Sequence, residues 1–275
     1  MTNTASKLKK LNEYQGTNLG IQANTINLDD FPKIEKQIFH ENEIITQNSY
    51  GFMRSELDKY SIGFLEYIKQ DIDTPALEIG CAYGFCSKKA IAQGNKLVVC
   101  DLSEEHLIDI ARNIPKNQLD NLFLNHASFP NETNFPNETF SAVWAGRLLH
   151  FLTNDELDIG LQKIHKWLVK GGKFYGTVAS IHHSTWNSFF DTYQERIKNK
   201  DKAPGSTHTN IIPDEFKAFV QDSDFYIFDE PDLRNILKRN GFKVEDVGFW
   251  DFDQDLNENR NNKGHIGFVA TKEDV

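Results

Sequence analysis

Between Ala76 and Asp101 the chain sets a carboxylate, a run of small residues and a second carboxylate at spacings that suit a nucleoside ligand. Ala76-Leu77-Glu78-Ile79 reads as a short buried strand and Lys96-Leu97-Val98-Val99-Cys100 as a second one that closes on Asp101. The turn after the first strand, Gly80 to Phe85, holds Gly, Ala or Cys at four of its six positions. Gly takes positive φ values and close backbone approaches, so such a turn can press against a ligand. In open α/β sheets, ligands sit beyond the carboxyl ends of the strands, where a helix begins and its free N–H groups favour negative charge. Gly80 and Asp101 both fall at such ends, and a carboxylate that accepts two hydrogen bonds side by side suits Asp101 to the vicinal hydroxyls of a ribose.

The spacing discriminates among nucleosides. A dinucleotide fingerprint needs G-x-G-x-x-G, whereas counting from Gly80 gives Gly80, Ala82 and Phe85. An acid two residues before the first Gly, followed by Gly80-x-Ala82-x-Gly84, instead resembles motif I of the class I S-adenosylmethionine-dependent methyltransferases. The resemblance implies that Glu78 lies near the methionine end of the cofactor, that Gly80, Cys81, Ala82 and Gly84 wrap it, and that Asp101, with Leu102 beside it, holds the ribose. Ala82 departs from the commoner Gly by one methyl group. The resemblance covers about residues 76–180 and 229–272. It implies a Rossmann-like α/β fold: a seven-stranded, mostly parallel sheet with helices on both faces and an antiparallel terminal strand.

Other elements must hold these residues. A helix is expected from Ser87 to Gln93, with Gly94 as its C-cap, and another from Ser103 as N-cap, carrying Glu104, Glu105 and His106 in its first turn. A third strand, Leu122-Phe123-Leu124, ends in Asn125-His126-Ala127-Ser128. The resembling family usually places an acid and Ala here, facing the adenine; His126 stands in the acid's place, and either His126 or Ser128 can hydrogen-bond to a base edge. Phe140 to Ala145 reads as the fourth strand, so Ala145, Gly146 and Arg147 border the cleft at its carboxyl end. Thr153 to Glu156 opens a well-capped helix with Leu157, Leu161, Ile164, Trp167 and Leu168 on its buried face. The Lys170-Gly171-Gly172-Lys173 join that follows resembles the family's entry to its fifth strand.

Upstream, residues 1–30 are polar and read as a flexible arm. Residues 31–73 show near-helical spacing of apolar positions and read as two helices covering the cleft, the second starting at Tyr50 and Arg54. Residues 74–275 form the methyltransferase-like domain. Within it, residues 180–228 are too long for an ordinary connection and read as a helical insertion, with the aromatics Trp186, Phe189, Phe190, Tyr193, Phe216, Phe219 and Tyr226, suited to a substrate lid. Downstream, Asp229-Glu230-Pro231 starts a helix, Phe242 begins a strand, and a polar loop over residues 257–263 leads to a last strand from His265. His150, His182 and His183 are the candidate bases, since imidazole titrates near neutral pH. Packing roles are open for all three, because methyl transfer needs a base only when the acceptor carries a proton that must leave.

Composition narrows the partners. Against 30 basic residues stand 40 acidic ones, a formal net charge of -10, which argues against a nucleic-acid backbone as partner. Cys81, Cys86 and Cys100 form no C-x-x-C pair and lie with no His cluster, so no metal site is expected. Buried reduced thiols point to a cytoplasmic protein, as does the lack of an apolar run of about 20 residues. The leading expectation is methyl transfer from S-adenosylmethionine to a small molecule. A protein acceptor, a cofactor-binding interaction protein without transfer activity, and a nicotinamide-dependent reductase are the alternatives.

Overall fold

Near-continuous apolar runs on short strands require burial on both sides of a sheet, and two separate cores result. The computed structural model describes residues 6–40, 42–251 and 260–273. The central strand, β5 (Ala76–Ile79), lies parallel to β6 (Leu97–Asp101) on one side and β8 (Phe140–Gly146) on the other. Farther out, β7 (Leu122–His126) and β9 (Leu168–Ala179) continue the parallel array. The hairpin of β12 (Phe242–Trp250) and β13 (His265–Lys272) joins β9 through antiparallel β13. Side chains alternate across a strand. Leu77 and Val98 therefore pack beneath Leu157, Leu161 and Ile164 of α5 (Asn154–Trp167) and Leu233 and Ile236 of α8 (Glu230–Arg239). Ala76, Leu97 and Val99 face the opposite core, with Phe64 of α2 (Lys59–Ile68), Ile91 of α3 (Phe85–Ala92) and Leu107 and Ile110 of α4 (Glu104–Arg112).

The α/β class and the mostly parallel sheet agree with the sequence reading, with one strand more than expected. The main sheet has eight strands in the order β1-β7-β6-β5-β8-β9-β13-β12, because β1 (Ile21–Gln22) adds antiparallel to β7. For residues 6–30 this corrects the expectation of a flexible arm; residues 1–5 lie outside the described residues. Ser6 caps α1 (Lys7–Gln15), accepting from the Lys9 backbone N–H at 3.2 Å, and Leu8, Ile21, Ala23 and Ile26 are buried in the core on the α2–α4 side. Burying three aliphatic side chains and an Ala offsets the ordering entropy that a polar segment alone could not.

The two N-terminal helices are also corrected. Among the described residues of 31–73 a single helix, α2, forms. Before it stands a separate three-stranded antiparallel sheet of β2 (Ile38–His40), β3 (Glu43–Ile45) and β4 (Phe52–Arg54). The apolar residues here sit in three-residue strands, too short to show alternation against a helical spacing. Gly51, at φ 78°, turns the chain into β4.

The insertion holds α6 (Phe190–Lys198), the strand pair β10 (Ser206–His208) and β11 (Asp224–Tyr226), and the single turn α7 (Asp214–Lys217), so it is mixed rather than purely helical. It has a small core of its own, with Ile181, Trp186, Phe189, Tyr193, Ile212, Phe225 and Ile227. The Phe216 side chain and part of the expected loop over residues 257–263 lie outside the described residues. The helix ending in Trp167 passes straight into β9, and Gly171, at φ 71°, falls inside that strand opposite a register shift at Phe140/Ala142.

Candidate functional site

At the carboxyl ends of β5 and β6 the turn is held by its own backbone. Gly80 N–H donates to Cys100 O at 2.8 Å, and Gly84 N–H to Cys81 O at 2.8 Å. Gly80 lies at φ 69°, and a Cβ there would come within 3.0 Å of Leu148 Cδ1 on the facing wall. A side chain at this position would fill the gap that a ligand needs. Gly84 has a different task. It is the N-cap of α3 at φ 64°, and a Cβ would meet Ile110 Cγ1 at 2.5 Å, so its small size serves helix packing.

Asp101 is buried and organises this turn. Its Oδ2 accepts from Ala82 N–H at 2.9 Å and faces the Cys81 thiol at 3.9 Å. Its Oδ1 accepts from Ser103 N–H at 2.8 Å and contacts His106 Nδ1 at 3.1 Å. Burial alone would raise this carboxyl. The His106 contact and the two N–H donors outweigh it and hold Asp101 below the usual carboxylate value. The weakest of the four partners is the Cys81 thiol, and its lone-pair position is the one a ligand hydroxyl would take.

One cavity of about 310 Å3 opens over these strand ends, inside the range of roughly 300–1,000 Å3 typical of small-molecule sites. Its floor includes Glu78, Gly80, Cys81, Ala82 and Asp101; Leu102, Ala127, Ser128, Gly146 and Arg147 form its flanks. Its roof comes from the β3–β4 segment, with Tyr50 and Phe52, and from Ser223 and Asp224 of the insertion. These two segments are stitched together. Gly51 N–H donates to Phe219 O at 3.0 Å, Gln221 N–H to Ser49 O at 2.7 Å, and the Phe219 ring packs against Phe39 and Phe52 at 5.2 and 5.4 Å.

Glu78 is buried in the floor and accepts a hydrogen bond from Ser87 Oγ. Burial pushes its carboxyl up to about 7; the Ser87 bond opposes this and the Asp101 charge adds to it. A cation arriving beside Glu78 would favour the ionised form. Arg147, at φ 52°, donates its backbone N–H to Thr177 O at 2.8 Å and its Nη2 to Phe52 O at 3.1 Å, so it joins the end of β8 to the roof. Arg54, expected at a helix start, lies in β4, where its Nε donates to Glu43 Oε1 at 3.0 Å.

Among the described residues, the cavity wall omits six of the expected site residues: Gly84, His126, Ala145, His150, His182 and His183. His126 Nδ1 contacts Ser6 Oγ at 2.6 Å and Nε2 contacts Leu102 O at 2.9 Å, an anchor for α1. Ala145 is buried within the β8 core. His150 is buried against Phe151 and Phe225, its Nδ1 accepting from Ala179 N–H at 3.3 Å. Burial first, then the Arg147 charge, lowers its pKa to about 3. His183 Nδ1 accepts from Thr185 N–H at 3.2 Å, and burial, with the neighbouring His265, lowers it to about 4. His182 Nε2 lies 3.4 Å from Asp229 Oδ1.

Several contributors escape a reading by spacing. Tyr50 reaches the cavity from a loop, and Trp250 from the end of β12, far along the chain from the motif turn. His106 is the most consequential: fully buried, it bridges Asp101 to the roof, with Nε2 accepting from Gln47 N–H at 3.0 Å. The five-residue step from Asp101 to His106 across the Ser103 cap is the only local signal for it.

A family model for a methyltransferase domain matches residues 76–172. Among solved structures, the chain is similar to an S-adenosylmethionine-dependent methyltransferase from Methanosarcina mazei, with 16% identity and a TM-score of 0.58 over 78% of this chain and 99% of that one. A second such methyltransferase, from Mesorhizobium loti, is 15% identical, with a TM-score of 0.54 over 77% of this chain and 97% of that one. Phosphoethanolamine N-methyltransferase 2 of Haemonchus contortus, solved in complex with S-adenosyl-L-methionine, is 16% identical with a TM-score of 0.54; 99% of this chain and 61% of that one are covered. No curated protein matches the chain by sequence. Residues 76–172 thus match a methyltransferase domain, and the chain shares the Rossmann-like α/β fold of these solved structures.

Proposed function

We propose that this protein transfers a methyl group from S-adenosylmethionine to a small-molecule acceptor. The observation that carries the reading is that Asp101, the Gly80–Ala82 turn and Glu78 share one roofed cavity with Tyr50 and Phe52. The residues present fit the cofactor: a glycine whose Cβ would fill the cradle, a buried carboxylate whose weakest partner is a thiol, and a second carboxylate that burial raises to about 7.

When bound, S-adenosylmethionine supplies an electrophilic methyl on a sulfonium, with a neutral thioether as leaving group. Asp101 accepts from the ribose hydroxyls, and Leu102, Ala127 and Ser128 border the adenine. Glu78 balances positive charge at the methionine end. Gly146 and Arg147 border the space in which the acceptor meets the methyl. The insertion over residues 180–228 and the β3–β4 segment serve as the lid, where Tyr50, Phe52 and Phe151 exclude water. Holding two reactants in near-attack geometry contributes on the order of 7–11 kcal/mol, so in-line displacement needs no covalent intermediate. An acceptor amine or thiol can lose its proton to solvent, and the three candidate histidines then hold structure rather than move protons.

The roofed cleft, with Tyr50, Phe52 and Phe151 among its lining, favours a small acceptor over the surface of a folded protein. No helix among the described residues is long and apolar enough to cross a membrane, and the buried free thiols Cys81, Cys86 and Cys100 support a reducing, cytoplasmic setting.

Calorimetry tests the reading. S-adenosylhomocysteine is expected to bind and NAD to leave no heat of binding. Asp101→Asn should weaken S-adenosylhomocysteine roughly tenfold or more, the loss of a charge-assisted bond; unchanged affinity in a variant that still melts cooperatively overturns it. Methyl-labelled cofactor should label the low-molecular-weight fraction of a cell extract, and label confined to protein would overturn the small-molecule assignment.

A further inference from the structure

We propose that His106 is a positioning residue that couples occupancy of the donor pocket to the roof over the acceptor. The inference rests on the reading of Asp101 as the ribose-binding acid and deepens it. His106 Nδ1 lies 3.1 Å from Asp101 Oδ1 and its Nε2 accepts from Gln47 N–H at 3.0 Å. A backbone N–H can only donate, so Nε2 must be bare; Nδ1 then carries the proton and donates it to the carboxylate. These partners assign one neutral tautomer, in which a fully buried ring is satisfied at both ends.

The roof side of the bridge is reinforced. Tyr83, from the motif turn, packs edge-on against His106 with ring centroids 4.8 Å apart. Its hydroxyl donates to Ile45 O at 2.8 Å and accepts from Gln47 Nε2 at 2.9 Å. Residues 45–47 are thus fixed to the turn and to Asp101 together. They lead directly into Asn48, Tyr50 and Phe52 of the cavity roof, which pairs with the insertion through Gly51 and Gln221. A ribose that draws on Asp101 changes the acceptor strength that His106 meets at Oδ1. The same ring fixes the Gln47 backbone, so the roof responds to what the floor holds.

Two substitutions separate the halves of the bridge. An Asn amide nitrogen reaches the place of Nδ1 and leaves Gln47 N–H unmatched; a Gln amide reaches the place of Nε2 and leaves Asp101 without this donor. The measurement is amide hydrogen exchange over residues 45–54, with and without S-adenosylhomocysteine, beside calorimetric affinity. In the wild-type protein the ligand should slow exchange over residues 45–54. His106→Asn should bind S-adenosylhomocysteine within about threefold of wild type yet lose most of that ligand-induced protection. His106→Gln should weaken the ligand roughly tenfold, the scale of one charge-assisted hydrogen bond, while keeping basal protection of residues 45–54. Wild-type protection retained in a ligand-binding His106→Asn protein overturns the coupling and leaves the donor-site reading intact. Failure of the wild-type protein to bind S-adenosylhomocysteine overturns that reading and the coupling with it.

Discussion

Ala82 N–H donates to Asp101 Oδ2 at 2.9 Å, and Ala82 makes that bond from φ 44°. A left-handed conformation costs a residue with a Cβ about 1–2 kcal/mol, so the floor of the site carries strain that the carboxylate holds in place. Ala82→Gly should therefore stabilise the unliganded protein, offset in part by the greater freedom of Gly in the unfolded chain, for a net gain of about 0–1 kcal/mol in urea denaturation. Gly84→Ala should do the reverse. It combines φ 64° with a Cβ only 2.5 Å from Ile110, and a loss of about 2–4 kcal/mol follows from strain plus overpacking. A Gly84→Ala protein as stable as wild type would refute the assignment of this glycine to helix packing.

Glu78 gives the site a pH response. Its carboxyl is raised to about 7 from an ordinary 4.5, by burial foremost, so the folded protein holds a proton that the unfolded chain has already released. Unliganded stability accordingly falls as pH rises from about 4.5 to about 7. A bound sulfonium reverses the preference, so affinity for S-adenosylmethionine should climb as pH rises through about 7. The uncharged thioether product should climb less. Titration calorimetry at pH 6 and pH 8 reads both, and Glu78→Gln should flatten the difference; a dependence that survives the substitution belongs to another group.

His150 should contribute architecture rather than proton transfer. With its pKa lowered to about 3 by burial and then Arg147, it is neutral throughout the working range. The unfolded chain takes up a proton near pH 6.5, so this residue costs stability as pH falls from about 6.5 toward 3. His150→Phe would leave Ala179 N–H without its acceptor, a cost of about 1–3 kcal/mol. The pH–rate profile should keep its shape. A fall in kcat beyond a hundredfold with stability intact would make His150 a participant in the chemistry.

The parts of this fold legible in the sequence share one property: their signal is local. The β5–turn–β6 unit places two acids and the four small residues of its turn within 26 positions, and buried parallel strands read as continuous apolar runs. The α5 capping box at Thr153 and Glu156 is local in the same way, and the structure forms it as expected. Long-range partners left no such trace. The three-stranded sheet of residues 38–54 is held by Phe219 from the insertion, Tyr83 from the motif turn and His106 from α4. Its own three-residue strands carry too little pattern to set it apart from a helix. His126 looks from sequence like a base-facing residue because of where its strand ends, but its ring meets Ser6, 120 residues away. Apolar count misled at residues 1–30: Leu8, Ile21 and Ile26 suffice to seat a segment whose other residues are mostly polar.

The two-residue strand Ile21–Gln22 takes up the outer hydrogen-bonding groups of Leu124 and Phe123 in β7. At the far margin of the sheet, β12 presents exposed Lys243, Glu245 and Asp246 in the span that pairs with β13. A bare, apolar strand edge is a template for stacking further chains. Here one margin is plugged by the protein's own backbone and the other bristles with charge, so growth into sheet-to-sheet polymers is blocked at both ends.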